Sequence, residues 1–146
     1  MTITVNAEAR RIFQALTLPE YLETWITFPD QSAESCIAAS QLTEGYRLDQ
    51  RSGNHVTLSI TGSFLFCHHR KMRLCWRKIP GLNQTQPAHA NTVANTLVDF
   101  RLRGNFGSSV LELRHNEFGS LDEFFWHYRL WRNSLPKLAS LLRSVS

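Results

Sequence analysis

The feature that most limits how this chain can fold is the stretch from Ser120 to Arg143. There Leu121, Phe124, Phe125, Tyr128, Trp131, Leu135, Leu138 and Leu142 recur mostly three or four residues apart. That spacing predicts one amphipathic helix with these side chains on a single face. A face so large has to be covered by something broad and concave, which a strand-rich middle of the chain supplies. Ser120 followed three residues later by Glu123 makes a capping box, and Asp122 adds negative charge where the helix dipole favours it. Pro136 lacks the amide that would bond to the Arg132 carbonyl, so a bend is expected before the last turns.

Upstream, Thr2 to Val5 is a short β-prone run, and Asn6 is placed to cap a helix from Ala7 to Leu16 whose Ile12, Phe13 and Leu16 share one side. Pro19 and Glu20 announce a second short helix, Pro19 to Thr24, closed by Trp25. Phe28, Pro29 and Asp30 then lead out through a polar loop. Six strands follow: Ser35 to Leu42, Tyr46 to Gln50, Val56 to Phe66, Arg70 to Lys78, Thr92 to Arg103 and Ser108 to His115. Glu44-Gly45, Ser52-Gly53-Asn54, the Pro80 to Asn91 loop and Gly104-Asn105-Phe106-Gly107 separate them, and the short connections favour antiparallel neighbours.

Alternation says which way each strand faces. Val56, Leu58, Ile60 and Phe64 fall on one parity, as do Met72, Leu74 and Trp76, then Thr96, Val98, Phe100 and Leu102, then Leu111, Leu113 and His115. These are the inward positions. The opposite parity carries Arg73, Arg77, Asp99, Arg101, Arg103, Glu112 and Arg114, as a solvated outer surface requires; Asp49 is likewise expected to face outward.

A chain of 146 residues that is 42% hydrophobic buries a sizeable core without metal or disulfide staples, so a single domain over residues 1–146 is expected. The net charge of +4 comes from interspersed rather than clustered residues, which is weak support for an acidic partner. Met1-Thr2-Ile3-Thr4 is not a basic-then-apolar leader, and no apolar run is long enough to cross a bilayer; a cytoplasmic protein without a membrane partner is expected. Cys36, Cys67 and Cys75 leave one cysteine over and show no CxxC spacing, against both a disulfide scaffold and a structural zinc site. Cys67, His68, His69 and Cys75 sit close in sequence, but neighbours on a strand point to opposite faces, so they are read as hairpin residues and neither a metal nor a cofactor is expected.

The order strand, two short helices, six strands, long helix resembles the START-like (Bet v 1-like, SRPBCC) superfamily. Residues Ile12-Phe13-Gln14-Ala15-Leu16-Thr17-Leu18-Pro19-Glu20-Tyr21-Leu22-Glu23-Thr24-Trp25 are similar to the signature VWxALTxPExLxxW of its branch related to homologues of the heat-shock protein 90 ATPase activator. Gly45 and Gly62, Leu74-Cys75-Trp76, Leu111 to His115, and Trp131 with Leu135 and Leu138 extend the likeness along the chain. Leu18 stands where that branch usually has a capping Asp, and Phe66 to Lys71 is more basic than usual. The resemblance implies an α+β helix-grip fold: a seven-stranded antiparallel curved sheet wrapped around the C-terminal helix, two short helices after the first strand, and a hydrophobic cavity between. Relatives hold a lipid, steroid, polyketide or other apolar molecule there, whereas others are cyclases or co-chaperone domains, so the fold alone does not choose a function.

The lining expected for such a cavity is Trp25, Phe28, Tyr46, Leu58, Ile60, Phe64, Met72, Leu74, Trp76, Val98, Phe100, Leu111, Leu113, His115, Phe125, Tyr128 and Trp131. Large aromatics more often build ordinary core than a pocket, yet together these rings can shape an apolar site with few polar anchors. His115 and Tyr128 are the polar groups placed to orient a ligand, unless each is satisfied inside the protein. No nucleophile, base and orienting group assemble from the inward residues, and neither a GxSxG elbow nor a phosphate loop is present. Three readings remain: a carrier or sensor for a small apolar ligand; a co-chaperone-type domain that meets a protein partner through the sheet and the basic hairpin; and a cyclase or hydrolase using the same cavity. The outer arginines lack interleaved aromatics, so nucleic acid is not expected. Either a monomer or a homodimer paired along the edge beside Ser35 to Leu42 fits.

Overall fold

The computed structural model describes residues 1–29, 34–80, 94–105 and 107–143. Its strands are β1 (Thr2–Val5), β2 (Ser35–Leu42), β3 (Gly45–Ser52), β4 (His55–His68), β5 (Lys71–Pro80), β6 (Ala94–Asn105) and β7 (Ser108–Asn116). They form a seven-stranded antiparallel sheet in the order β1-β7-β6-β5-β4-β3-β2. Helices α1 (Ala9–Thr17) and α2 (Pro19–Trp25) follow β1, and α3 (Leu121–Arg143) closes the chain. The architecture is the α+β helix grip that the START-like resemblance implies, with the curved sheet around α3. Thr92, Val93, Asp30, Phe106 and the loop from 81 to 91 lie outside the described residues, as does what was expected of them.

Leu18 joins α1 to α2 by itself. It is extended (φ −90°, ψ 127°), its N–H bonds to the Gln14 carbonyl at 2.9 Å, and its own carbonyl receives the Leu22 N–H at 3.0 Å. Pro19, at the first position of α2, needs no such partner. Asn6 does not cap α1: Ala7 N–H bonds back to Val5 at 2.9 Å in a tight turn, so the helix begins two residues later than expected, after Glu8, without a side-chain cap. Beyond α2, Thr27 N–H donates to Ser134 Oγ at 2.9 Å and Phe28 packs edge-on against Trp126, which ties the exit from α2 onto α3.

The alternation holds across the sheet. Tyr46, Leu48, Ile60, Met72, Leu74, Trp76, Val98, Phe100, Leu102, Leu111 and Leu113 are all buried, and on the outer face Arg73 bonds Asp99 while Arg103 and Arg114 both reach Glu112. Two local departures have clear causes. Asp49 has the outward parity but is covered, because Arg47 and Ser59 bond its carboxylate at 2.8 and 2.6 Å. The β4–β5 register shifts between Phe64 and Phe66, and this bulge leaves Leu65 and Phe66 exposed.

Gly62 shows how closely the inner face is packed. It pairs with Tyr46 on one side and Trp76 on the other, and those two meet across it, the Trp76 indole N–H donating to the Tyr46 hydroxyl at 2.8 Å. A Cβ on Gly62 would come within 2.7 Å of the Tyr46 ring. Gly62→Ala is therefore expected to destabilise the protein by about 1–3 kcal/mol, the usual cost of overpacking a tight core. Urea unfolding measures it, and an unchanged midpoint would show that the ring has room to move.

Candidate functional site

The inward parity of β7 delivers Leu111, Leu113 and His115 to the helix side of the sheet. Past Asn116, Glu117 takes a left-handed backbone conformation (φ 68°) and turns the chain so that Phe118 lies over His115, ring centres 4.7 Å apart. The helix then starts as its capping box predicts, Ser120 Oγ accepting from the Glu123 N–H at 3.2 Å. Glu123 sends its carboxylate to Lys78 of β5, at 3.2 Å, and Lys78 also lies over the Trp126 ring.

The helix is anchored one to two turns further on. Trp131 stacks on Trp76 at 4.9 Å, with Trp25 and Phe100 beside it. Its indole N–H donates to His115 Nδ1 at 2.9 Å. Because an indole can only donate, Nδ1 is the unprotonated nitrogen and Nε2 carries the hydrogen, which goes to Thr96 Oγ1 at 2.6 Å. Thr96 in turn donates to the Trp76 carbonyl. Both ring nitrogens of His115 are thus committed to internal bonds. Burial, with the neighbouring His127 adding to it, pushes the pKa of His115 down to about 2, so the ring is neutral.

His127 was not among the expected site residues. It is almost fully buried, its ring 4.4 Å from that of His115, and its Nδ1–H donates to the Glu123 carbonyl at 2.8 Å. Burial lowers its pKa, against the pull of the Glu123 carbonyl and carboxylate. With the proton on Nδ1, Nε2 carries a lone pair, and none of the hydrogen bonds among the described residues uses it. The available signal was position: His127 is four residues from both Glu123 and Trp131, which puts it on the same side of the helix.

These residues border a groove of about 320 Å³ between β7 and the first half of α3. Its walls are Leu113, His115, Phe118, Phe124, His127, Tyr128 and Trp131, with Met1, Arg114 and Asn116 at its margin, and it opens to solvent. Of the residues expected to line a cavity, the groove gathers Leu113, His115, Tyr128 and Trp131. Trp25, Phe28, Tyr46, Ile60, Met72, Leu74, Trp76, Val98, Phe100 and Leu111 instead interlock as buried core, with Leu58 and Phe64 half-buried against it. The helical stripe needs correcting in its first half. Leu121, Phe124, Phe125 and Tyr128 are exposed, whereas Trp126, His127 and Leu130 face inward, because Phe28 and Lys78 cover that side of the helix. Trp131, Leu135, Leu138 and Leu142 are buried as the periodicity predicts. Among the described residues no three metal-ligating side chains converge, and no helix is long and apolar enough to cross a membrane.

The helix-grip fold is the one that the START-like (Bet v 1-like, SRPBCC) resemblance implies, and solved structures with this fold superpose along the whole chain. An AHSA1 protein from Silicibacter pomeroyi matches with a TM-score of 0.66 and 14% identity, covering 100% of this chain and 99% of the other. The Aha1 protein of Colwellia psychrerythraea, solved as a dimer, matches with 0.59 and 19% over 97% and 92% of the two chains. DynU16, described as a putative protein in the dynemicin biosynthetic locus, matches with 0.66 and 14% over 100% of this chain, which spans only 47% of it. No family model matches the sequence, and no curated protein matches it.

Neutral buried histidines make stability depend on pH. An unfolded His115 titrates near 6.5, about the ordinary value, whereas the folded one stays neutral down to about 2. Below pH 6.5 the unfolded state therefore gains a proton that the native state does not, so the stabilisation is complete above about 6.5 and is lost progressively as pH falls toward 2. His115 contributes up to about 1.4 kcal/mol per pH unit in that range. The melting temperature is expected to fall between pH 6.5 and 5, and His115→Gln to flatten the fall. A variant with the same slope would assign the dependence to other groups.

Proposed function

We propose that the protein binds a small hydrophobic molecule in the groove between β7 and α3, acting as a carrier or sensor. The observation that carries this reading is the groove itself. About 320 Å³ bordered mainly by Leu113, Phe118, Phe124, Tyr128 and Trp131 is the size and chemistry at which small-molecule sites begin, about 300 Å³. Phe124 and Tyr128 are 41% and 44% exposed although the helix could have carried polar residues there, and an apolar guest would cover them. Native mass spectrometry of protein gently isolated from its own host tests the reading. A co-purifying apolar compound supports it; none, together with no uptake of an apolar fluorescent dye, overturns it.

A second reading rests on a different surface. Leu65 and Phe66, 59% and 51% exposed, adjoin the basic hairpin His68-His69-Arg70-Lys71 and would suit a co-chaperone-type contact with an acidic protein partner. A homodimer is in keeping with the Colwellia neighbour, described as a dimer.

Because Phe124 and Tyr128 are exposed, their loss should spare the fold. Phe124→Ala and Tyr128→Ala are each expected to weaken dye binding about threefold to tenfold, the worth of one aromatic contact, while stability changes by no more than about 0.5 kcal/mol. Fluorescence titration beside a thermal melt measures both. Unchanged dye affinity in both variants would place the binding site elsewhere.

A further inference from the structure

The polar groups around the groove differ in what they have left to offer. His115 has none, since Trp131 and Thr96 occupy both its nitrogens at 2.9 and 2.6 Å. His127 is held by its own helix, Nδ1–H on the Glu123 carbonyl at 2.8 Å, which turns the opposite edge of the ring away from the helix backbone. That edge carries Nε2, whose lone pair none of the hydrogen bonds among the described residues uses, on a ring that borders the groove. Around the His127 ring stand His115, Trp126 and Phe118, with ring centres 4.4, 4.9 and 5.4 Å from its own, so its surroundings are largely aromatic.

An acceptor in apolar surroundings rewards a donor and penalises a molecule that leaves it unmatched. We infer that the groove selects a neutral ring compound bearing a hydroxyl or N–H group, which it donates to His127 Nε2; this rests on the ligand-binding reading above. A carboxylate has no hydrogen to donate and would set its negative charge against the lone pair. The aromatic walls favour a flat guest, since Phe124 and Tyr128 lie nearly parallel, 20° apart. Burial, by keeping His127 neutral, preserves the lone pair at ordinary pH.

Three probes of one ring system test this by tryptophan fluorescence at pH 7: 2-naphthol, 2-methoxynaphthalene and 2-naphthoate. The naphthol is expected to bind about tenfold more tightly than the methyl ether, the worth of one well-made hydrogen bond, and more tightly than the carboxylate. In His127→Phe the naphthol advantage should collapse to about twofold or less while the ether still binds. Equal binding of naphthol and ether by the unaltered protein, a preference for the carboxylate, or an advantage that survives in His127→Phe overturns this inference and leaves the groove as a binding site. Binding of no probe overturns the groove reading and this inference with it. Should His127→Phe not fold, the unaltered protein decides through nitrogen NMR: the His127 Nε2 resonance is expected to move on adding 2-naphthol and not on adding 2-methoxynaphthalene. An unmoved resonance would refute the hydrogen bond.

Discussion

Between the long helix and the sheet, the contact on which the remaining packing depends is the stack of Trp131 on Trp76 with its hydrogen bond to His115. Burying an indole without a partner for its N–H costs about 1–3 kcal/mol, and here each buried tryptophan of this group has one. Trp25 donates to the Ala15 carbonyl, Trp76 to the Tyr46 hydroxyl and Trp131 to His115 Nδ1. The three bonds tie α2 to α1, β5 to β3, and α3 to β7. The rings therefore fill the space under the helix and fix its rotation at once, which is why His115 is locked in a single neutral tautomer.

The groove follows from the same arrangement. Where the tryptophans interlock, the helix lies hard against the sheet. Toward its N-terminus the contacts pass to Phe28 and Lys78 on one flank, leaving the β7 flank bordered by Phe118, Phe124 and Tyr128. His127 sits at the boundary between the two regimes, bonded to its own helix through Nδ1 and bordering the groove. The site is thus a by-product of where the anchor ends, built from a rigid floor and a partly uncovered aromatic rim.

The architecture was legible because both periodicities are strong. Alternation in Met72-Leu74-Trp76 and in Leu111-Leu113 matches the buried face, and the segment around Leu18-Pro19 marks two helices as it should. Periodicity says which side of a helix is apolar but not how far along the helix the cover extends. It therefore assigned Phe124, Phe125 and Tyr128 to the interior, although the cover at that end lies on the Trp126 side. A polar residue such as His127 is discounted by an apolar count even when it is among the most buried on the helix. The extra residue at the Phe64–Phe66 bulge is likewise invisible to a strict two-residue repeat, and Asp49 is hidden only because Arg47 and Ser59 happen to reach it. The hydrogen bonds of His115 are set by tertiary neighbours 19 and 16 residues away and leave no local trace.

The strand order carries a consequence for how the molecule is made. β1 pairs with β7 alone, Val5 opposite Ser109, so a segment synthesised early has no place in the sheet until about a hundred more residues have been added. At ribosomal speeds of about 5–20 residues per second that wait is roughly 5 to 20 s, during which Val5 and the apolar side of α1 have no lasting cover. The intervening hairpins can assemble in turn as they emerge, but the grip shuts only once β7 and α3 exist. Pairings so distant in sequence also slow refolding of the finished chain. Of the described strands, β1 is thus the one that waits longest for its partner.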